Sequence, residues 1–202
     1  MFITFEGIDL CGKSTQAKLL YDYFKKKKKK VILVREPGGT YISEKIRNIL
    51  LDNDNHDIRY LTEFLLFSAS RHQLVEQVII PNLEKKFVVI CDRYYDSSTA
   101  YQGFGGEIDL KMVDKINKFS TDNLVPDIAF LININYKDSL RRKYKIKKVQ
   151  DRIERKNLSY YNKVVKGYLE IASKNKKRFR VLDGKKSIEE LHQEILSHLK
   201  LS

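Results

Sequence analysis

Residues 7–14 read GIDLCGKS, the spacing G-x-x-x-x-G-K-S, between a β-branched and aromatic run at 2–5 and a segment with apolar residues at Ala17, Leu20 and Phe24. Strand, glycine loop, helix is the order expected. Glycine at positions 7 and 12 removes the Cβ from a tight turn, so successive backbone N–H groups can point inward at an anion. The helix beginning near Lys13 adds the positive end of its dipole, Lys13 reaches toward β- and γ-phosphates, and the Ser14 hydroxyl is placed to ligate Mg²⁺. The stretch Gly7, Ile8, Asp9, Leu10, Cys11, Gly12, Lys13, Ser14 and Thr15 is therefore expected to hold a nucleoside triphosphate. An accidental glycine turn would not carry both the strand and the helix.

The same alternation continues along the chain. Short apolar runs at 2–5, 31–34, 87–91, 128–132 and 179–182 read as strands. Helical spacing occupies roughly 13–25, 43–51, 60–80, 109–119, 138–145, 152–174 and 187–199, the last with a capping box at Ser187 and Glu190. Strands apolar on both faces and alternating with helices predict an α/β fold of three layers, a parallel sheet covered on both sides. In such sheets ligands sit at the carboxyl ends of the strands, so the segments just after each strand are where chemistry is expected.

Those segments are polar and specific. "REPGGT" at 35–40 follows the second strand and "DRYYDSSTAYQG" at 92–103 follows the third. Asp92, delivered by the run "FVVICD", is placed to hold Mg²⁺ beside the phosphate loop. Arg35, Arg71 and Arg93 face one presumed cleft, and guanidinium forks there would grip a second phosphate. Phe67 and Arg71 lie four apart and so share a helix face. An acceptor that is itself a phosphate monoester arrives anionic and needs no general base, which fits a chain without a His or Cys nucleophile constellation. The expected activity is a kinase acting on a nucleotide. The basic stretch at 140–156 reads either as a solvated helix or as a lid that closes over the triphosphate and excludes water, and the lid is favoured.

Composition bounds the alternatives. A chain of 202 residues suits one domain, with the lid at about 140–156 as part of it. No apolar stretch approaches membrane length and residues 1–5 lack a basic leader, so a cytoplasmic enzyme with no membrane partner is expected. The net charge of +13 raises the rival of a nucleic-acid-binding NTPase. Much of the excess is lysine, including the run 25–30 at the end of the first helix, where it complements the helix C-terminus, and no nucleic-acid module is recognisable. No nucleic-acid partner is expected. Cys11 and Cys91 read as structural thiols, with Cys11 open to alkylation inside the loop, and His56, His72, His192 and His198 show no metal-ligand spacing.

Taken together, "EGIDLCGKST", "REPGGT", "FSASRHQLVEQVI", "DRYYDSSTAYQG" and the "DRIE" region resemble, in order and over essentially the whole chain, the thymidylate kinase family of bacterial type. The resemblance implies a P-loop NTPase fold with a five-stranded parallel sheet, and transfer of the γ-phosphoryl group of MgATP to dTMP for dTTP synthesis. It also implies residue roles. Phe67 would stack on thymine, Arg71 would contact its O4 edge, and Ser98 and Gln102 would lie by the base. Arg35 and Arg93 would hold the acceptor phosphate, Tyr101 would crowd the sugar 2′ position, and Asp9 would sit near the 3′-hydroxyl and the metal. Some members carry an arginine in the phosphate loop; here Asp9, Leu10 and Cys11 stand there, so the charge is expected from Arg141, Arg142 or Arg152 of the lid. Lys13, Asp9, Arg93, Arg142 and Arg152 are the catalytic candidates, and Ser14, Asp9 and Asp92 the metal candidates. The family also implies a homodimer, for which Leu61, Leu65 and Val78 could serve, although a core role for them reads equally well. A kinase for another nucleotide or a deoxynucleoside is the nearest alternative.

Overall fold

In the computed structural model, residues 1–146 and 150–199 are described. The strands are β1 (Phe2–Glu6), β2 (Val31–Arg35), β3 (Val88–Asp92), β4 (Ile128–Asn133) and β5 (Phe179–Asp183), all parallel in the order β2-β3-β1-β4-β5. Each runs one residue beyond the apolar stretch legible in the sequence. Central strands β1 and β4 are buried along nearly their whole length, as a sheet covered by helices on both faces requires. Register fixes the working edge: Phe5 lies opposite Asp92, and Asp92 opposite Arg35. The ends of β1, β2 and β3 therefore deliver the phosphate loop, "REPGGT" and "DRYY" to one place.

Helices α1 (Lys13–Lys26), α2 (Tyr41–Leu51), α3 (Tyr60–Leu74) and α4 (Ile80–Glu84) precede β3, with a π-helical turn at Val75–Ile79 joining α3 to α4. After β3 come α5 (Tyr95–Ser98), a π-helical turn at Thr99–Gly105 and α6 (Leu110–Ser120). The chain ends with α7 (Tyr136–Ile146), α8 (Leu158–Lys174) and α9 (Ile188–His198). Thr40, Asp109, Asn157 and Ser187 cap their helices by accepting backbone N–H groups, and Ser187 with Glu190 forms the expected capping box.

Two expectations are corrected. The helix expected over 152–174 begins only after the Asn157 cap, because Arg152, Ile153 and Glu154 are buried in a turn packed on the cleft. The polar segment 95–105, left outside the expected helices, is helical. Its Ser, Thr and Gly content gives little intrinsic helicity, and packing against α8 supplies the order. A Cβ at Gly105 would come within 2.7 Å of Tyr160, and one at Gly167 within 2.6 Å of Phe104. That close crossing seats Tyr101 and Gln102.

Leu61 and Leu65 are not core residues. They are 45% and 48% exposed on α3, beside Ile42 and Ile49 on α2, each 46% exposed, whereas Val78 packs partly into the core behind β3. The lysine run 25–30 is exposed at the end of the sheet opposite the carboxyl ends. Of the lid stretch, residues 147–149 lie outside the described residues. Among the described residues no helix is long and apolar enough to cross a membrane.

The α8 crossing is directly testable. Gly167→Val should force Phe104 aside and lower stability by about 1–3 kcal/mol, the usual range for overpacking, seen as a drop in Tm of several degrees; an unchanged Tm would contradict the contact.

Candidate active site

The phosphate loop is built from conformations that side chains disfavour. Gly7 has φ 134 and Gly12 φ 108, and a Cβ at Gly7 would lie 2.6 Å from the Ile132 carbonyl oxygen. Lys13 opens α1 and is buried, its Nζ 3.7 Å from Asp9 Oδ1. The underside of the loop is braced by Arg142 of α7, which donates to the carbonyls of Leu10 and Cys11 at 3.0 Å each and to Gly184 at 2.5 Å. Cys11 is fully buried and burial pushes its thiol up, against the pull of Lys13, so the expected sensitivity to alkylation is corrected to a covered, protonated thiol. Cys91 is buried likewise.

Ser14 Oγ donates to Asp92 Oδ2 at 2.5 Å, and the buried Asp92 Oδ1 has no hydrogen-bond partner among the described residues. A hydroxyl and a carboxylate with one oxygen to spare fit a hard divalent cation. Among the described residues no group of three or more His, Cys, Asp or Glu could hold a metal on its own.

The three arginines share the cleft but are not equivalent. Arg93, in the left-handed region at φ 73, donates through Nη2 to Asp9 Oδ1 at 2.7 Å and through Nη1 to the Gly7 carbonyl at 2.9 Å. Burial opposes its charge, but Tyr101, Asp9, Tyr168 and Asp92 outweigh that and hold the guanidinium well above its ordinary pKa. Glu6 backs this corner, accepting from the Tyr94 N–H and the Ser97 hydroxyl; burial and Asp96 push its carboxyl up to about 8 against Ser97 and Arg93. Arg35 is half-exposed and donates to Glu44 at 3.0 Å and to the Pro37 carbonyl at 2.8 Å. Arg71 is 1% exposed, with Nε on Glu36 at 2.8 Å, Nη2 on Ser98 at 2.8 Å and Nη1 on Asn117 at 3.3 Å. Arg71 is thus anchored in the floor of the cleft, set apart from Arg35 and Arg93, with which the strand-end reading grouped it and from which the family resemblance separates it.

Phe67, Arg71, Ser98, Tyr101 and Gln102 line this cleft together with Asp9, Lys13, Ser14, Arg35, Asp92 and Arg93. Tyr101 is a rigid wall: its ring meets Tyr160, Tyr161 and Tyr168 edge-on, and its hydroxyl donates to Asp9 Oδ2 at 3.2 Å. The lid candidates part company. Arg142 lies under the phosphate loop, whereas Arg152 is bound to Glu63 at 2.8 Å and to the Leu50 carbonyl at 2.8 Å, and is not brought to the loop. Arg141 is exposed and pairs with Asp138. The turn carrying Arg152 instead places Asp151, Ile153 and Glu154 on the cleft wall.

Sequence reasoning missed Glu36, Glu63 and Lys156. Glu36 sits inside "REPGGT", and Glu63 precedes Phe67 by one helical turn on the same face, a buried charge at core spacing that could have marked it. Lys156 lies over the rings of Tyr60 and Tyr160 at 4.1 and 4.6 Å, and burial pushes its pKa down against the pull of Glu63.

Comparison with known proteins agrees with this geometry. The family model described as thymidylate kinase matches residues 5–195. The chain is 47% identical to the thymidylate kinase of Chlorobium phaeobacteroides over 99% of this chain and 94% of that protein. It is 50% identical to that of Thermosipho africanus over 98% and 96%. The crystal structure of thymidylate kinase from Ehrlichia chaffeensis superposes with a TM-score of 0.82 at 36% identity, covering 100% of this chain and 98% of that one. With a family model over nearly the whole chain and relatives at 47% and 50% identity, the chain belongs to the thymidylate kinase family, as an ATP-dependent nucleoside monophosphate kinase.

Proposed function

We propose that the cleft binds ATP on the phosphate loop and dTMP against Phe67 and Arg71, and that the γ-phosphoryl group passes to the dTMP phosphate to give ADP and dTDP. The observation that carries this reading is that loop, arginines and aromatic pocket line a single cleft. The backbone N–H groups of residues 7–15 and Lys13 hold the donor phosphates. Arg93, fixed by Asp9 and Gly7, and Arg35 hold the acceptor phosphate so that its oxygen faces the γ-phosphorus in line. That oxygen is already anionic, so positioning and charge neutralisation carry the reaction.

Mg²⁺, when bound, supplies Lewis-acid neutralisation of the phosphate oxygens. Ser14 would hold it together with Asp92, while Asp9, engaged with Arg93, serves chiefly to orient that guanidinium. Arg142 contributes fixed positive charge behind the loop. Tyr101, locked among three tyrosines, blocks a 2′-hydroxyl and favours deoxyribose. Residues 1–202 act as one domain in which the 140–156 region shields the cleft from water, and Arg152 serves there by seating the turn. We place the enzyme in the cytoplasm, feeding dTTP synthesis, as a homodimer that covers the apolar α2–α3 face.

A coupled assay of ADP release with dTMP, dUMP, dCMP and AMP tests the reading: dTMP should give the highest kcat/KM, and preference for another acceptor would overturn it. In the same assay Lys13→Ala should lower kcat by about 100-fold or more without loss of fold; near-normal turnover would contradict the donor site. For the dimer, Leu65→Lys should shift the chain to monomer in sedimentation, and an unchanged dimer would show that the α2–α3 face is not the interface.

A further inference from the structure

Glu63 is wholly buried one helical turn before Phe67, behind the cleft wall rather than on it. Its Oε2 accepts from Arg152 Nη1 at 2.8 Å and from Lys156 Nζ at 3.3 Å. Its Oε1 accepts from Lys156 Nζ at 3.2 Å and from Gln102 Nε2 at 3.0 Å. Arg152 and Lys156 donate to its two oxygens, so toward Gln102 the Glu63 side chain offers acceptors only. Gln102 can therefore meet it only through its NH₂ group. The amide is planar, so the opposite end, Oε1, is fixed as well, and it makes no hydrogen bond to any described residue. Gln102 lines the cleft within reach of the same base pocket as Arg71 and Ser98.

We propose that Glu63 is a positioning residue for nucleobase choice, acting through Gln102 to present a hydrogen-bond acceptor, and not a donor, to the ring edge of the bound nucleotide. The proposal rests on the assignment of this cleft to a pyrimidine nucleoside monophosphate. Thymine and uracil carry a donor at ring N3, which an amide oxygen satisfies. Cytosine carries a lone pair at N3, which the same oxygen repels, leaving a buried polar atom unpaired. Arg71 acts in the same sense, since its N–H groups match a carbonyl at ring position 4 and oppose an amino group.

The carboxylate charge is what sets the direction. In Glu63→Gln the new amide oxygen is claimed by Arg152 and Lys156, so its NH₂ faces Gln102. Gln102 must then turn over and offer its own NH₂ to the cleft. The chemistry read at the ring edge is inverted without a change of shape.

Steady-state kinetics of the full chain with dTMP and with dCMP at saturating ATP test this. In Glu63→Gln the KM for dTMP should rise and the KM for dCMP fall, narrowing the ratio of kcat/KM values about tenfold or more, with the effect on dTMP in KM rather than kcat. A folded variant that keeps the wild-type ratio overturns the role of Glu63 while leaving the dTMP assignment standing, whereas a wild-type enzyme without preference for dTMP over dCMP overturns both. Glu63→Asp keeps the charge for Arg152 and Lys156 but withdraws the acceptor from Gln102, and so covers a Gln variant that fails to fold. Its ratio should also narrow, and an unchanged ratio refutes the proposal. In a Gln102→Ala background Glu63→Gln should narrow the ratio no further; a full additional loss there would mean that Glu63 does not act through Gln102.

Discussion

The 2.7 Å contact between Arg93 and Asp9 joins the two halves of the site. Asp9 belongs to the phosphate loop after β1 and Arg93 to the segment after β3, so the pair ties the two strand-end segments of the cleft together. Parallel pairing of β1 with β3, with Phe5 opposite Asp92, brings the two residues level. The further bond from Arg93 to the Gly7 carbonyl sets the guanidinium in one orientation before any phosphate arrives. Preorganised charge of this kind is where phosphoryl transfer gains most, because little covalent chemistry is asked of the protein.

A second layer of buried polar pairs holds the frame around that contact. Arg71 with Glu36, Arg178 with Asp96 at 2.7 Å, and Arg152 with Glu63 each join segments far apart in the chain. Removing one partner from such a pair typically costs about 3–5 kcal/mol, because the other charge is left buried and alone. These pairs fix the relative placement of α3, α5, β5 and the 150–156 turn, and with it the shape of the cleft. Arg71 is the clearest case, since Glu36, Ser98 and Asn117 together hold its guanidinium in the floor of the cleft.

What was legible in the sequence follows the range of the interactions involved. The five strands and the phosphate loop could be read because apolar runs and glycine spacing are local signals, and the family landmarks named the activity. The helical course of 95–105 could not be read, since its order comes from α8, which packs against it through Gly105 and Gly167. The contacts that fix Arg71 and Arg93 were equally hidden from residue spacing, because Asn117 lies 46 residues from Arg71 and Asp9 lies 84 from Arg93; only the family resemblance set Arg71 apart from Arg35 and Arg93. Arg152 reads as one more lid cation in a basic stretch; only the fold reveals that Glu63, from α3, has claimed it. Arg142, by contrast, keeps its place beside the donor loop, held by carbonyls no motif could announce.

The central proposal to test is that Arg93 grips the acceptor phosphate while it remains tethered to the phosphate loop. A crystal structure with a bisubstrate analogue, adenosine and thymidine joined through a phosphate chain, measures this directly. The account predicts the thymidine-side phosphate within hydrogen-bond distance of Arg93, the Asp9 contact retained, and the adenosine-side phosphates on the loop at Lys13 and Ser14. A thymidine-side phosphate bound elsewhere, with Arg93 left only on Asp9 and Gly7, would contradict it.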